Sequence, residues 1–130
     1  MPFLELLTNA TLSREQSKEL ALSLSKTASE ILRKPEALIS VRVQANEVLT
    51  FAGTHDPCFQ LRITSLGNLK PDNNILFSKA FADFLKIKIG VENDRGYIVF
   101  SDPDYPNIGY KGTTGAELWG SKHLSNASQK

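Results

Sequence analysis

The sequence has a single cysteine, Cys58, in 130 residues, so neither an internal disulfide nor a Cys-x-x-Cys redox pair can form. Histidine is almost as scarce. His55 lies in a polar stretch and His123 near the C-terminus, and two isolated imidazoles do not make a metal site, which needs three or four convergent ligands. An excess of charge of one sign is also missing: 15 Lys and Arg face 14 Asp and Glu, a net +1, scattered without a basic run. That leaves no electrostatic footprint for nucleic acid or for an anionic membrane. No apolar stretch approaches the length that spans a bilayer. No positively charged region precedes the N-terminal apolar run, so no secretory signal is expected. What is present is an ordinary globular composition, 41% hydrophobic and 22% charged, long enough for one domain with a real core.

The chain opens with a proline directly after the initiator methionine, at the head of an apolar run, Met1-Pro2-Phe3-Leu4-Glu5-Leu6-Leu7. A small penultimate residue generally permits removal of Met1, and the Pro2 nitrogen then becomes a free secondary amine. Held in apolar surroundings, such an amine loses proton affinity, because desolvation penalises its charged form. It can then act as a general base near neutral pH. A Met-Pro start alone is common and fits an ordinary processed N-terminus equally well.

Periodicity supplies the elements. Residues 2–7 read as a strand. Ser13-Arg14-Glu15-Gln16 fits a capping box, and the helix it opens carries Leu20, Leu24, Ala28, Ile31 and Leu32 on one stripe. Lys34-Pro35 ends that helix, since the residue before proline is pushed out of the helical region. Residues 38–43 are β-branched and alternate, with Ile39, Val41 and Val43 on one face. After the Gly53–Pro57 loop, Phe59, Leu61 and Ile63 alternate with polar residues as a second half-buried strand, closed by Leu66-Gly67. Pro71-Asp72 opens a helix with Phe77, Ala80, Phe81, Phe84 and Leu85 on one face and Gly90 as its left-handed terminator. Residues 97–100 form the fourth strand.

The two halves share a plan. Ser25-Lys26-x-x-x-Glu30-Ile31-Leu32 matches Ser78-Lys79-x-x-x-Asp83-Phe84-Leu85 at an offset of 53 residues. A duplicated β-α-β unit is the simplest account, and it predicts an α+β fold: a four-stranded sheet with both helices on one face. The opposite face, where alternate strand residues are also apolar, then calls for cover by oligomerisation.

At this point the residues carry a family resemblance. Pro2-Phe3-Leu4-Glu5-Leu6 with Thr8-Asn9, the helix end Ile31-Leu32-Arg33-Lys34-Pro35, and Asp56-Pro57-Cys58 with Ser65-Leu66-Gly67 resemble the macrophage migration inhibitory factor and D-dopachrome tautomerase family. So do Asp94-Arg95-x-Tyr97-Ile98, Asn107-Ile108-Gly109-Tyr110 and Gly112-Thr113-Thr114. The match runs in order over about residues 2–114, and its N-terminal stretch is most similar to the D-dopachrome tautomerase branch. The resemblance implies a trimer of duplicated β-α-β subunits with active sites at subunit interfaces. It implies a cofactor-free keto–enol tautomerase acting on small aromatic keto acids, phenylpyruvate or dopachrome-like. In animals it also implies a cytokine secreted without a leader, so the expected location is the cytoplasm or, after such export, outside the cell, with a protein receptor as partner. The alternative is a signalling protein that keeps the trimer and a vestigial pocket.

Carried over residue by residue, the resemblance implies that Pro2 is the catalytic base. Lys34 binds the substrate carboxylate and, as a like charge, helps depress the amine's proton affinity. Leu66 lines the pocket with its N–H and side chain beside Ser65, and Tyr97 is the aromatic given by the neighbouring subunit. Ile108 and Tyr110 continue the aromatic wall. Departures from the family pattern are informative too. Val99 stands where the mammalian cytokine has an asparagine, Leu38 where it has a tyrosine, and Gly115 roughly where a phenylalanine is usual. The pocket is therefore expected to be more apolar and less able to hydrogen-bond a phenol. Leu61 stands where a second cysteine would partner Cys58, so thiol–disulfide exchange is not expected.

The matched domain covers 1–115, leaving a polar extension, 116–130, expected to be disordered toward its end, with Trp119 docking on the trimer or a partner. Asn9-Ala10-Thr11 and Asn126-Ala127-Ser128 fit the glycosylation pattern, but no route to that machinery is expected.

Overall fold

In the computed structural model, which describes residues 1–120, strand β1 (Pro2–Thr8) runs through the middle of the sheet. Its burial alternates strictly: Pro2, Leu4, Leu6 and Thr8 point inward, Phe3, Glu5 and Leu7 outward. Helix α1 (Arg14–Leu32) starts at the anticipated box. Ser13 Oγ accepts from the Gln16 N–H at 3.0 Å, and Gln16 Oε1 accepts from the Ser13 N–H at 2.8 Å. Leu20, Leu24, Ala28 and Leu32 form its buried stripe; Ile31 is half-buried at the margin. The helix stops at Arg33, which turns left-handed (φ 56°) just before the expected Lys34-Pro35 break.

Strand β2 (Ser40–Gln44) begins two residues later than the sequence suggested. Leu38 instead closes a 3₁₀ turn over Glu36–Leu38, with its N–H on the Pro35 carbonyl at 3.0 Å. Strand β3 (Phe59–Ser65) buries Phe59, Leu61 and Ile63 and exposes Gln60 and Arg62. Helix α2 (Pro71–Ile89) has Pro71 in its first turn, where a missing N–H costs nothing, and ends at left-handed Gly90 (φ 69°). It buries Phe81, Ala82, Phe84 and Leu85, with Phe77 and Ala80 half-buried. Strand β4 (Gly96–Ser101) completes the sheet.

The sheet order is β2-β1-β3-β4. The outer pairs are parallel and the central β1·β3 pair is antiparallel, with Leu4 opposite both Val41 and Ile63. Each β-α-β unit thus contributes a parallel pair, and the units join back to back through β1 and β3. Both helices lie on one face, closing a core of Leu4, Leu6, Leu24, Phe59, Ile63 and Phe81.

The opposite face differs from the expectation of an apolar surface. Apolar positions there, Phe3, Leu7, Tyr97 and Val99, are interrupted by Glu5, which faces Arg42 on one side and Arg62 on the other. The strand period of two places these charges on the side away from the helices, where they stay hydrated.

A hairpin follows that the strand periodicity did not reveal. Strands β5 (Gly109–Tyr110) and β6 (Thr113–Thr114) are joined by Lys111-Gly112, both with positive φ (55° and 74°), the geometry of a two-residue hairpin turn. A single π turn, Ala116–Gly120, ends the described chain. His123, the Asn126 sequon and the expected disorder of the extension's end lie outside the described residues.

Candidate active site

Three segments meet at one end of the central strands: the start of β1, the segment leaving α1, and the end of β3. Pro2 pairs with Ser65 in the β1·β3 register and is fully buried. Lys34 follows the left-handed Arg33, and Pro35 behind it fixes the backbone. Lys34 Nζ donates to the Leu66 carbonyl at 2.8 Å, while the Ser29 hydroxyl holds the Lys34 carbonyl at 2.6 Å. Asn68 braces the same corner: its Oδ1 accepts from Ser65 Oγ at 2.8 Å and its Nδ2 donates to the Leu32 carbonyl at 3.0 Å. Asp102 Oδ2 accepts from the Gly67 N–H at 3.0 Å.

Between these groups lies a cavity of 160 Å³. Met1, Lys34, Pro35, Leu38, Leu66, Tyr105 and Trp119 line it. Larger clefts, of 440 and 570 Å³, open along the helices. The smaller cavity is the candidate, because it gathers the N-terminus, an ammonium group and apolar walls in one place.

The electrostatics follow from burial. The Met1 amine is held below its ordinary proton affinity, first by desolvation and then by the nearby Lys34 charge. Lys34 is itself lowered by burial, with the Asp102 carboxylate acting in the opposite direction. The Tyr105 phenol is pushed up by burial and by Asp102 and Asp104.

Of the residues singled out from the sequence, Lys34, Leu38 and Leu66 line this cavity; Pro2, the residue after Met1, is fully buried and is not part of its lining. Ser65 is buried beside Pro2, its hydroxyl committed to Asn68. Tyr110 stands one layer back, stacked on Trp119 with ring centroids 5.7 Å apart. Ile108 supports the turn behind it, its carbonyl accepting from the Gly115 N–H at 2.8 Å. Tyr97 and Val99 lie elsewhere in the subunit. The alternation of β4 puts them on the helix-free face, 70% and 44% exposed, in a cleft of 240 Å³ with Glu5, Leu7 and Arg62. Tyr97 also packs on Phe51 at 5.3 Å.

Two lining residues were not anticipated, Tyr105 and Trp119. The Asp104-Tyr105-Pro106 turn signal could have marked the first. Within its own chain Trp119 packs on Tyr110, and Gly115 and Gly120 let the final turn fold back over Tyr105. With these groups in place, the family can be tested directly.

The sequence profile described as macrophage migration inhibitory factor (MIF) matches residues 1–116. The chain belongs to the MIF family. Macrophage migration inhibitory factor of Mus musculus is 31% identical over 109 residues, covering 83% of this chain and 95% of its own. The MIF-like protein mif-2 of Caenorhabditis elegans is 28% identical over 117 residues, 90% and 97% of the two chains. Among solved structures, the Trichinella spiralis factor superposes with a TM-score of 0.78 at 27% identity, over 86% of this chain and 98% of that one. The Prochlorococcus marinus homologue reaches 0.79 at 24% identity, over 86% and 97%, a likeness of fold alone.

Other groups in this MIF-family chain have structural duties. Cys58 is fully buried, and burial pushes its thiol above the usual range. Asn9 spends its amide on the loop before β3: Nδ2 donates to the His55 carbonyl at 2.8 Å and Oδ1 accepts from the Cys58 N–H at 2.9 Å. Among the described residues no cluster of His, Cys, Asp or Glu could hold a metal, and no helix is long and apolar enough to cross a membrane.

Proposed function

We propose that the mature chain is a cofactor-free keto–enol tautomerase for aryl α-keto acids, phenylpyruvate or dopachrome-like, with the free Pro2 nitrogen as its base. The observation that carries this reading is the position of the N-terminus. Pro2 is buried directly after Met1, and Met1 lines the cavity together with Lys34. Removal of Met1 vacates the space over Pro2 and converts an amide nitrogen into an amine. Both causes that lower the Met1 amine, burial and the Lys34 charge, bear on an amine placed deeper still.

The Pro2 lone pair takes a proton from the carbon next to the keto group, and the C–H electrons pass into the carbonyl to give an enolate oxygen. The same proton then returns to that oxygen, so the base ends as it began. Lys34 and the Leu66 N–H hold the carboxylate, with Ser65 behind them, while Leu38 packs the ring. Fixing the substrate at two points keeps the reacting carbon near the amine. Tyr97 and Val99, remote within one subunit, reach a pocket in a homotrimer, where the neighbouring subunit supplies them. Ile108 and Tyr110 support the wall; the domain of residues 1–115 carries all of these groups, and Trp119 of the extension adds to the cavity lining.

A second reading rests on Met1 itself, which lines the cavity. If it stays in place, Pro2 is an amide and the protein is a signalling or binding trimer with a vestigial pocket. Intact mass and a phenylpyruvate assay of the wild type beside Pro2→Gly decide between the two. Loss of activity in the variant supports catalysis; equal activity leaves only the binding reading.

A further inference from the structure

We propose that Trp119 is the specificity-determining wall of the cavity, stacking on a flat aromatic substituent of the substrate. The inference deepens the tautomerase reading and rests on it for the reaction, though not for the binding. Trp119 lies beyond the matched family segment, which ends at residue 116, yet it lines the same cavity as Lys34 and Leu66.

Its placement is built rather than incidental. The indole stacks on Tyr110 at 5.7 Å with planes 21° apart, and the Lys111 ammonium sits 5.6 Å from the centroid of the Tyr110 ring. Gly115 makes the turn possible. A Cβ there would lie 2.8 Å from Ile108 Cγ2, 3.0 Å from the Tyr105 carbonyl oxygen and 3.4 Å from Trp119 Cε3. Gly120 closes the turn where a Cβ would come within 3.2 Å of Ala116 Cβ. A tail segment held this tightly presents one fixed indole face.

The chemistry of the remaining wall names the ligand class. A Lys34 ammonium takes one carboxylate, and Leu38 and Pro35 offer apolar surface without a hydrogen-bonding group in their side chains. An indole lining the same cavity favours a planar ring in stacked geometry. A small aliphatic keto acid satisfies Lys34 but leaves the indole without contact. Trp119 thus favours aryl over alkyl substrates.

Trp119 is the sole tryptophan, so its emission reports the wall directly. On the wild-type protein lacking Met1, 3-phenylpropionate, which cannot enolise, should shift or quench that emission in a saturable way, whereas propionate should not. Trp119→Ala should raise KM for phenylpyruvate about tenfold while kcat and turnover of 2-oxobutyrate change less than roughly threefold, and Trp119→Phe should retain most of the affinity. No emission change at high 3-phenylpropionate, or an equal loss for phenylpyruvate and 2-oxobutyrate in Trp119→Ala, would overturn the assignment. If the wild type turns over neither keto acid, the tautomerase reading fails by itself, and the emission titration still decides whether Trp119 binds the ring.

Discussion

Lys34 Nζ donates to the carbonyl oxygen of Leu66 at 2.8 Å, joining the segment after α1 to the end of β3. A carbonyl orients the ammonium without neutralising it. Among the described residues no carboxylate lies within ion-pair distance of Lys34; Asp102 acts on it only from farther away. The group is therefore fixed, half desolvated and still short of a counter-ion, the condition in which a substrate carboxylate binds well.

Lys34→Gln tests this. It removes a hydrogen bond to a charged group, worth about 1.5–3 kcal/mol, so KM for phenylpyruvate should rise roughly ten- to hundredfold. It also removes a like charge beside the amine, so the acid limb of the pH profile should move to higher pH. A variant with unchanged KM would place the carboxylate elsewhere.

The N-terminal base makes a sharper demand. Mass measurement should find the protein without Met1, and Pro2→Gly should lower kcat/KM about 10²- to 10⁴-fold, the usual contribution of a positioned base. Full activity in a preparation that retains Met1 would end the mechanism, since an amide nitrogen has no useful basicity.

The pH dependence follows from two groups. In the proposed mechanism activity needs the Pro2 amine uncharged, so it rises with pH; burial and the Lys34 charge, which lower the Met1 amine, act in the same direction on it. Activity also needs Lys34 charged, so it falls as that group loses its proton, below the ordinary lysine range because burial disfavours the cation. Asp102 works against that burial. Asp102→Asn should therefore move the falling limb to lower pH and leave the rising limb nearly in place, as a kcat/KM profile would show.

Much of this arrangement could be read from the sequence because it is local. The capping box at Ser13, the stop near Pro35, the terminator Gly90 and the alternation of Phe59, Leu61 and Ile63 each depend on neighbours a few residues away. The contact of Lys34 with Leu66, next to the Pro2–Ser65 pair, is not local and was legible only through the resemblance. Trp119 could not be read, because its burial depends on what Gly115 and Gly120 allow against Tyr105, and neither strand nor helix periodicity registers that contact. The helix-free face was misjudged for a related reason: Glu5, Arg42 and Arg62 become neighbours only once strand register is fixed.

A substrate preference is expected from two apolar positions, Leu38 and Val99. Leu38 lines the cavity, and Val99 would enter from the neighbouring subunit; neither side chain can accept or donate a hydrogen bond to a phenol. Phenylpyruvate should therefore be turned over at least as well as its 4-hydroxy counterpart, because burying an unpartnered hydroxyl costs about 1–3 kcal/mol. Steady-state kcat/KM values for both would settle the point, and a strong preference for the hydroxylated acid would count against this wall.

Gly96 opens β4 directly opposite Phe59 on β3. A Cβ at that position would lie 2.4 Å from the Phe59 carbonyl oxygen and 2.5 Å from Cδ1 of its ring. Neither atom yields easily: the carbonyl belongs to the β3 backbone, and Phe59 is a fully buried member of the core. Gly96→Ala should therefore destabilise the subunit by about 1–3 kcal/mol through overpacking, read as a lower denaturation midpoint. Relief should come from Phe59→Leu in the double variant, which removes the ring but not the carbonyl contact, so recovery should be partial and the two changes non-additive. An unchanged midpoint in Gly96→Ala would mean that β3 and β4 part readily at this end. In that case Tyr97, the next residue along, would not be held rigidly enough to serve a neighbouring pocket.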